Sequence, residues 1–163
     1  MADNPTAMPA LTVWQCWASL IAAGAKPLEW RGHAAPPRLV GRRIAIHAGA
    51  RKVRREEIAE LILQLRDGGQ EGWSTSLVPK IALPLLEAWH TSPGMLPLSS
   101  VLCTATLGKP ITAADYARQH GVRAADSDRI DHTKWGWPLT DIEVLEPYVP
   151  AKGMQGFWSW SHG

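Results

Sequence analysis

Gly24-Ala25-Lys26-Pro27-Leu28-Glu29-Trp30-Arg31 is the stretch on which the reading of this chain turns. It follows Gln15 to Ala23, where Trp17, Leu20 and Ile21 recur at helical spacing, and Gly24 is placed to end that helix. Pro27 to Arg31 reads as extended. Side chains alternate along an extended segment, so Glu29 and Arg31 point the same way and Trp30 points the opposite way. Lys26, at the turn, leans toward the same side. One carboxylate between two cations is a cluster of mixed sign. It suits holding a phosphate and reading a hydrogen-bond donor edge, and it suits equally an ion-pair network that fixes a helix-to-strand corner.

Outward from there the pattern mixes strands and helices. Leu11 to Trp14 reads as a short strand, and Arg43 to His47 alternates with period two. Arg54 to Arg66 carries Ile58, Leu61, Ile62 and Leu65 on one helical face, with Glu56 and Glu57 at the positive end of the helix dipole and Gly68 after it. A second helical run, Val78 to His90, contains Pro84, which is expected to kink or split it. Ser99 to Leu107 is strand-like. Thr112 with Asp115 resembles a helix cap, and Gly121 ends that helix. Asp126 to Lys134 reads as a loop, Trp137 to Glu146 as a strand, Pro147 to Gly153 as a turn, and Phe157 to Trp160 as an aromatic end. Strands separated by unevenly spaced helices indicate an α+β fold rather than a βαβ repeat.

The chain of 163 residues suits one domain with a proper core. Residues 1–9 read as a flexible polar lead and 10–163 as the domain, with a helical insertion around 54–97. The longest near-apolar run, Trp17 to Ala25, falls well short of the roughly 18 residues that span a bilayer. The start lacks the pattern of a signal peptide, so a cytoplasmic protein with no membrane partner is expected. Cys16 and Cys103 make neither a disulfide framework nor a zinc motif, and the six histidines show no ligand spacing. No resident cofactor or metal is expected.

Net charge is only +2, but residues 1–55 carry +7 and residues 56–163 carry −5. The basic run Arg38, Arg42, Arg43, Arg51, Lys52, Arg54 and Arg55 is a second candidate site. It suits tracking a nucleic-acid backbone, against the plain alternative of a solvated face. His47, at a strand end, reads as a structural hydrogen-bonder. The nine tryptophans suit a small barrel core and, at one or two positions, stacking platforms for bases.

Gly24 to Arg31 fits the GxKxxExR signature of the ASCH family, and the chain resembles that family in further blocks. Leu11-Thr12-Val13-Trp14-Gln15-Cys16-Trp17-Ala18-Ser19-Leu20-Ile21 is similar to its opening. Ile44 to Ala48 is similar to its next strand. Trp137-Pro138-Leu139 and Lys152-Gly153-Met154-Gln155-Gly156-Phe157-Trp158 are similar to its close. The resemblance implies a PUA-like mixed β-barrel of five to six strands with surrounding helices, and a cleft lined by the signature residues. It implies RNA or modified-nucleoside binding. Lys26, Glu29, Arg31, Trp17, Trp30 and Gln15 are then the expected cleft contacts, with Arg43, Arg51 and Lys52 beside them.

Some relatives remove an acetyl group from N4-acetylcytidine and others are ribonucleases. An enzyme of either kind is therefore an alternative, with Lys26 and Glu29 catalytic and a divalent ion possible only in the case of a nuclease. A protein-interaction domain is a further alternative, and the chain is expected as a monomer or homodimer. The deacetylating relatives place a threonine nucleophile three residues after the signature lysine. Glu29 stands there in this chain, and Cys16 stands where the family has proline.

Overall fold

The structure, a computed structural model, describes residues 7–68, 74–124 and 133–162. It is mixed α+β. Seven strands are β1 (Ala7–Val13), β2 (Leu28–Arg31), β3 (Arg43–Ala48), β4 (Ser100–Leu107), β5 (Ile111–Thr112), β6 (Trp135–Pro150) and β7 (Phe157–Ser161). The described residues hold four α-helices: α1 (Trp17–Ala22), α2 (Arg55–Asp67), α3 (Pro79–Thr91) and α4 (Ala113–His120).

One sheet runs in the order β2-β6-β4-β3-β1-β7, and β5 adds to β6. β1 and β3 are parallel and the other pairs antiparallel. The expected barrel of five to six strands is corrected here. The described residues form seven strands, and among them β2 and β7, at the two ends, do not pair, so backbone hydrogen bonds do not close the sheet. A curved sheet still wraps one core, drawn from Leu11 and Val13 of β1, Ile44 and Ile46 of β3, Leu102, Cys103, Ala105 and Leu107 of β4 and Trp137 and Leu139 of β6. Ala18 and Ile21 of α1 cap it.

A second core lies between helices. Ile58, Leu61, Ile62 and Leu65 of α2, the face expected from their spacing, meet Ala82, Leu86 and Trp89 of α3. Pro84 lies inside α3 without ending it, so the expected split does not occur. Proline removes one backbone bond, and the packed face on both sides of it keeps the helix together. Thr112 caps α4 as expected, accepting from the Asp115 amide at 3.1 Å, and Gly121 ends it in the left-handed conformation.

Two boundaries differ from expectation for physical reasons. Residues 7–9, assigned by composition to the lead, already pair with β7. Residues 1–6 of that lead, and most of the expected loop at 126–134, lie outside the described residues. Pro147 and Pro150 suggested a turn because proline cannot donate to a ladder, yet β6 continues through both. The register against β4 jumps from Cys103↔Val144 to Val101↔Val149, so the surplus residues of β6 bulge out around Pro147.

The turn after β6 packs on a buried polar chain. The Ala151 carbonyl can only accept, so His47 Nε2 donates to it at 2.7 Å. His47 Nδ1 then accepts from the Thr12 hydroxyl at 3.1 Å, and that oxygen accepts from Trp158 Nε1 at 2.9 Å. Gly153 lies against this chain. A Cβ there would sit 2.5 Å from His47 Cε1, 2.6 Å from Nδ1 and 2.9 Å from Thr12 Oγ1. Gly153→Ala is expected to destabilise the protein by about 1–3 kcal/mol, the ordinary cost of overpacking, read as a lower urea midpoint at unchanged slope.

Both cysteines are buried, and burial lifts each thiol from the ordinary 9.0 to about 12. The folded state thus holds two protons that the unfolded chain releases above pH 9.0. This contribution is complete below about pH 9 and is lost as pH rises toward about 12. Urea unfolding is expected to show falling stability across that window. A thiol reagent at neutral pH is expected to label both cysteines only after unfolding.

Candidate functional site

Helix α1 ends in a two-bond turn that aims everything after it. The Ala25 amide donates to the Leu20 carbonyl at 2.9 Å and the Gly24 amide to Ile21 at 3.0 Å, with Gly24 at φ +77°. Only glycine takes that conformation without strain, which is why the helix stops there. Ala25 is then tied to the helical layer by the Val78 amide at 2.8 Å. The chain leaves this anchor turned inward, so Lys26 is 1% exposed. Its Nζ donates to the Leu28 carbonyl at 2.7 Å and lies 5.1 Å from the centre of the Trp17 ring.

Strand β2 follows, paired with β6 so that Glu29 faces Trp137, Trp30 faces Gly136 and Arg31 faces Trp135. The expected alternation therefore holds. Glu29, Arg31, Trp135 and Trp137 share one face, and Trp30 lies on the other. Arg31 Nε is 3.6 Å from Glu29 Oε1. Its Nη2 donates to the Thr12 carbonyl at 3.1 Å, and its guanidinium lies 5.9 Å from the centre of Trp137. Trp137 stacks on Phe157 of β7 at 5.7 Å with ring planes 3° apart, and its Nε1 donates to the His33 carbonyl.

Two buried polar atoms at this place have no hydrogen-bond partner, Glu29 Oε2 and Arg31 Nε. Glu29 is 6% exposed, whereas the Arg31 side chain is 26% exposed. Arg31 thus faces both Glu29 and solvent. One acceptor and one donor, side by side and unused, match a ligand edge that offers a donor beside an acceptor.

The other expected contacts are placed elsewhere. Trp30 is buried, donates to Ser76 Oγ at 2.9 Å and meets Tyr116 edge-on at 5.2 Å. Gln15 is buried at the start of α1. It donates to Ser19 Oγ and the Pro97 carbonyl and accepts from the Ser19 amide, so it caps the helix.

The structure divides the basic run. Arg43 donates to Thr104, Thr106 and the Asp141 carbonyl on the β3–β4–β6 surface. Arg51 pairs with Glu57 and lies 4.8 Å from the ring of Trp14, which is 56% exposed. Arg54 also approaches Glu57, and Arg55 donates to the His90 carbonyl. Burial pushes the Glu57 carboxyl up, but hydrogen bonds from Arg51 and the Arg54 amide, with both guanidinium charges, hold it below its ordinary value. Lys52 is exposed. Trp137 is the site residue that sequence reasoning left unplaced. Its two-residue spacing from Trp135 was visible, but its face depended on knowing that β6 pairs with β2.

Two surface hollows, of about 420 and 300 Å³, lie away from the Glu29–Arg31 pair. The smaller is lined by Arg38, Arg42, Phe157 and neighbours from β1 and β7. Among the described residues, no three His, Cys, Asp or Glu side chains gather as a metal site would require, and no helix is long and apolar enough to cross a membrane.

No protein-family model matches the chain, and no curated protein matches it. A solved structure similar to it is the crystal structure of a mutant ZmASCH protein from Zymomonas mobilis. It shares 16% identity over 87% of this chain and 72% of that one, with a TM-score of 0.46. A likeness of that degree leaves the chemistry to the residues themselves.

The roles of Arg31 and Glu29 separate by stability. Arg31→Ala strands the Thr12 carbonyl and is expected to cost about 1–3 kcal/mol. Glu29→Gln keeps the shape and removes a half-satisfied charge, so its cost is expected to be the smaller of the two. Urea unfolding of the two variants beside the parent gives the order.

Proposed function

We propose that the chain binds RNA or a modified nucleoside, holding a nucleobase edge at Glu29 and Arg31. The observation that carries this reading is the pair of unpartnered buried atoms, Glu29 Oε2 and Arg31 Nε, on adjacent same-face positions of β2. Every base presents a donor next to an acceptor on its pairing edge. Glu29 accepts from the exocyclic amino or ring imino group, and Arg31 donates to the neighbouring oxygen or ring nitrogen. Lys26 sets the positive potential behind Glu29. Trp17 lies against Lys26 and Trp137 against Arg31, so each cation of the trio has an aromatic face beside it. The resemblance of residues 11–160 to the ASCH family supports the same ligand class.

A base that engages Glu29 takes the place that Arg31 now occupies over Oε1. Arg31 is the exposed member of the trio, so its movement opens the site.

Isothermal titration with cytidine, N4-acetylcytidine and a short single-stranded RNA tests this. The parent is expected to bind at least one of them. Glu29→Gln, which turns half of the acceptor into a donor, is expected to weaken binding by roughly 10- to 100-fold, the scale of one mispaired buried polar contact. Unchanged affinity in that variant sinks the reading. Release of acetate from N4-acetylcytidine by the parent and not by Glu29→Gln would assign an amidohydrolase instead.

A further inference from the structure

The hollow of about 300 Å³ lies at the opposite end of the sheet from β2. Its lining includes Ala7 and Pro9 of β1, Phe157 and Ser159 of β7, and Arg38 and Arg42 from the segment that crosses in front of them. Pro9 pairs with Ser159 and Leu11 with Phe157, so these residues share one face of the sheet, the face that carries Leu11 into the core.

The two arginines are held ready by their backbones. Arg38 sits on the short 3-10 turn Pro37–Leu39, whose Leu39 is buried. Arg42 follows Gly41, which takes φ +84° and donates to the Leu107 carbonyl at 2.7 Å. Arg43, Arg51, Arg54 and Arg55 of the basic run are each engaged by a carboxylate or carbonyl. Among the described residues, Arg38 and Arg42 are exposed and make no side-chain hydrogen bond or ion pair, and no carboxylate lines the hollow.

The aromatic at the floor leads back to the first site. Phe157 is half-buried and lies parallel to Trp137, and Trp137 lies against Arg31. A row of planar groups thus runs from Arg31 through Trp137 to Phe157, with two free guanidinium groups at its far end.

We infer that the Arg38–Arg42–Phe157 hollow is a second nucleotide subsite, which holds the phosphodiester of a single RNA strand whose neighbouring base occupies the Glu29–Arg31 site. Planar guanidinium groups suit phosphate oxygens, and an aromatic floor tolerates any base. A single strand rather than a duplex is the occupant because the aromatic floor can stack only on an unpaired base. This inference rests on the nucleotide reading of the Glu29 site, and the test separates the two.

The full chain is titrated by fluorescence anisotropy with a labelled single-stranded RNA dodecamer of mixed sequence, between about 0.05 and about 0.3 M salt. Cytidine binding is measured in parallel. Arg38→Ala with Arg42→Ala removes two phosphate contacts. It is expected to flatten the slope of log affinity against log salt by about 1.4 and to weaken RNA binding about tenfold near physiological salt. Cytidine binding and the melting temperature are expected to stay as in the parent. Arg38→Lys with Arg42→Lys is expected to keep the slope.

An unchanged slope and affinity in the double alanine variant overturns the inference, as does a parent that binds no RNA. Polyglutamate bound with the same dependence on both arginines overturns it too, in favour of an acidic protein partner. If RNA binding depends on both arginines but is indifferent to Glu29→Gln, the phosphate subsite stands and the Glu29 reading falls.

Discussion

The sheet has two ends that never meet through their backbones, and the side chains that span the gap hold the rest of the structure in place. Arg31 at the end of β2 reaches the Thr12 carbonyl on β1, and Trp137 on β6 stacks on Phe157 of β7. These contacts do laterally what a closing strand pair does in a barrel. They also concentrate polar side chains at the seam, because the Thr12 carbonyl, just past the last β1–β7 pair at Leu11, takes its donor from Arg31. The Glu29–Arg31 pair is therefore a consequence of the topology as well as a candidate site, and its two functions meet in one guanidinium.

Six residues of α1 join this seam to the helical layer. Ala18 and Ile21 pack into the sheet core, Leu20 packs into the core under α2 and α3, and Trp17 touches both. A helix this short has no independent stability, so its position is set by the two cores it separates. The glycine-ended turn then passes that position on to Lys26. Burying an ammonium group costs several kcal/mol unless donors and charges are met. The Leu28 carbonyl and the Trp17 ring offset part of that cost.

Local pattern made much of this legible. Alternation placed Glu29 and Arg31 together and Trp30 opposite, the periodicity of Ile58 to Leu65 gave the buried face of α2, and Thr112 and Gly121 bounded α4. What stayed hidden depended on distant partners. Closure of the sheet turns on whether β2 meets β7, and neither strand's own pattern encodes that. Pro147 and Pro150 looked like a turn because the bulge against β4 that admits them is a property of two strands. The basic run was counted as one patch, whereas Glu57, the Asp141 carbonyl and the His90 carbonyl take up most of it. Gln15, expected as a ligand contact, spends its donors and its acceptor on Ser19 and Pro97, and the loop bearing Pro97 is 82 residues away in sequence.

The unpartnered atoms of Glu29 and Arg31 gain meaning from how well this fold satisfies its other buried polar groups. Gln15 is saturated. His47, Thr12 and Trp158 form a chain that ends on a backbone carbonyl. The indole nitrogens of Trp30 and Trp137 each find an oxygen. An unmet buried group costs about 1–3 kcal/mol, a large share of the usual stability of a domain this size. Random imperfection would scatter such atoms. Among the described residues, both fall on one pair of neighbouring side chains, one an acceptor and one a donor. Nε and Oε1 form an ion pair at 3.6 Å, just longer than a hydrogen bond. In the proposed reading, a complementary ligand edge fills that gap.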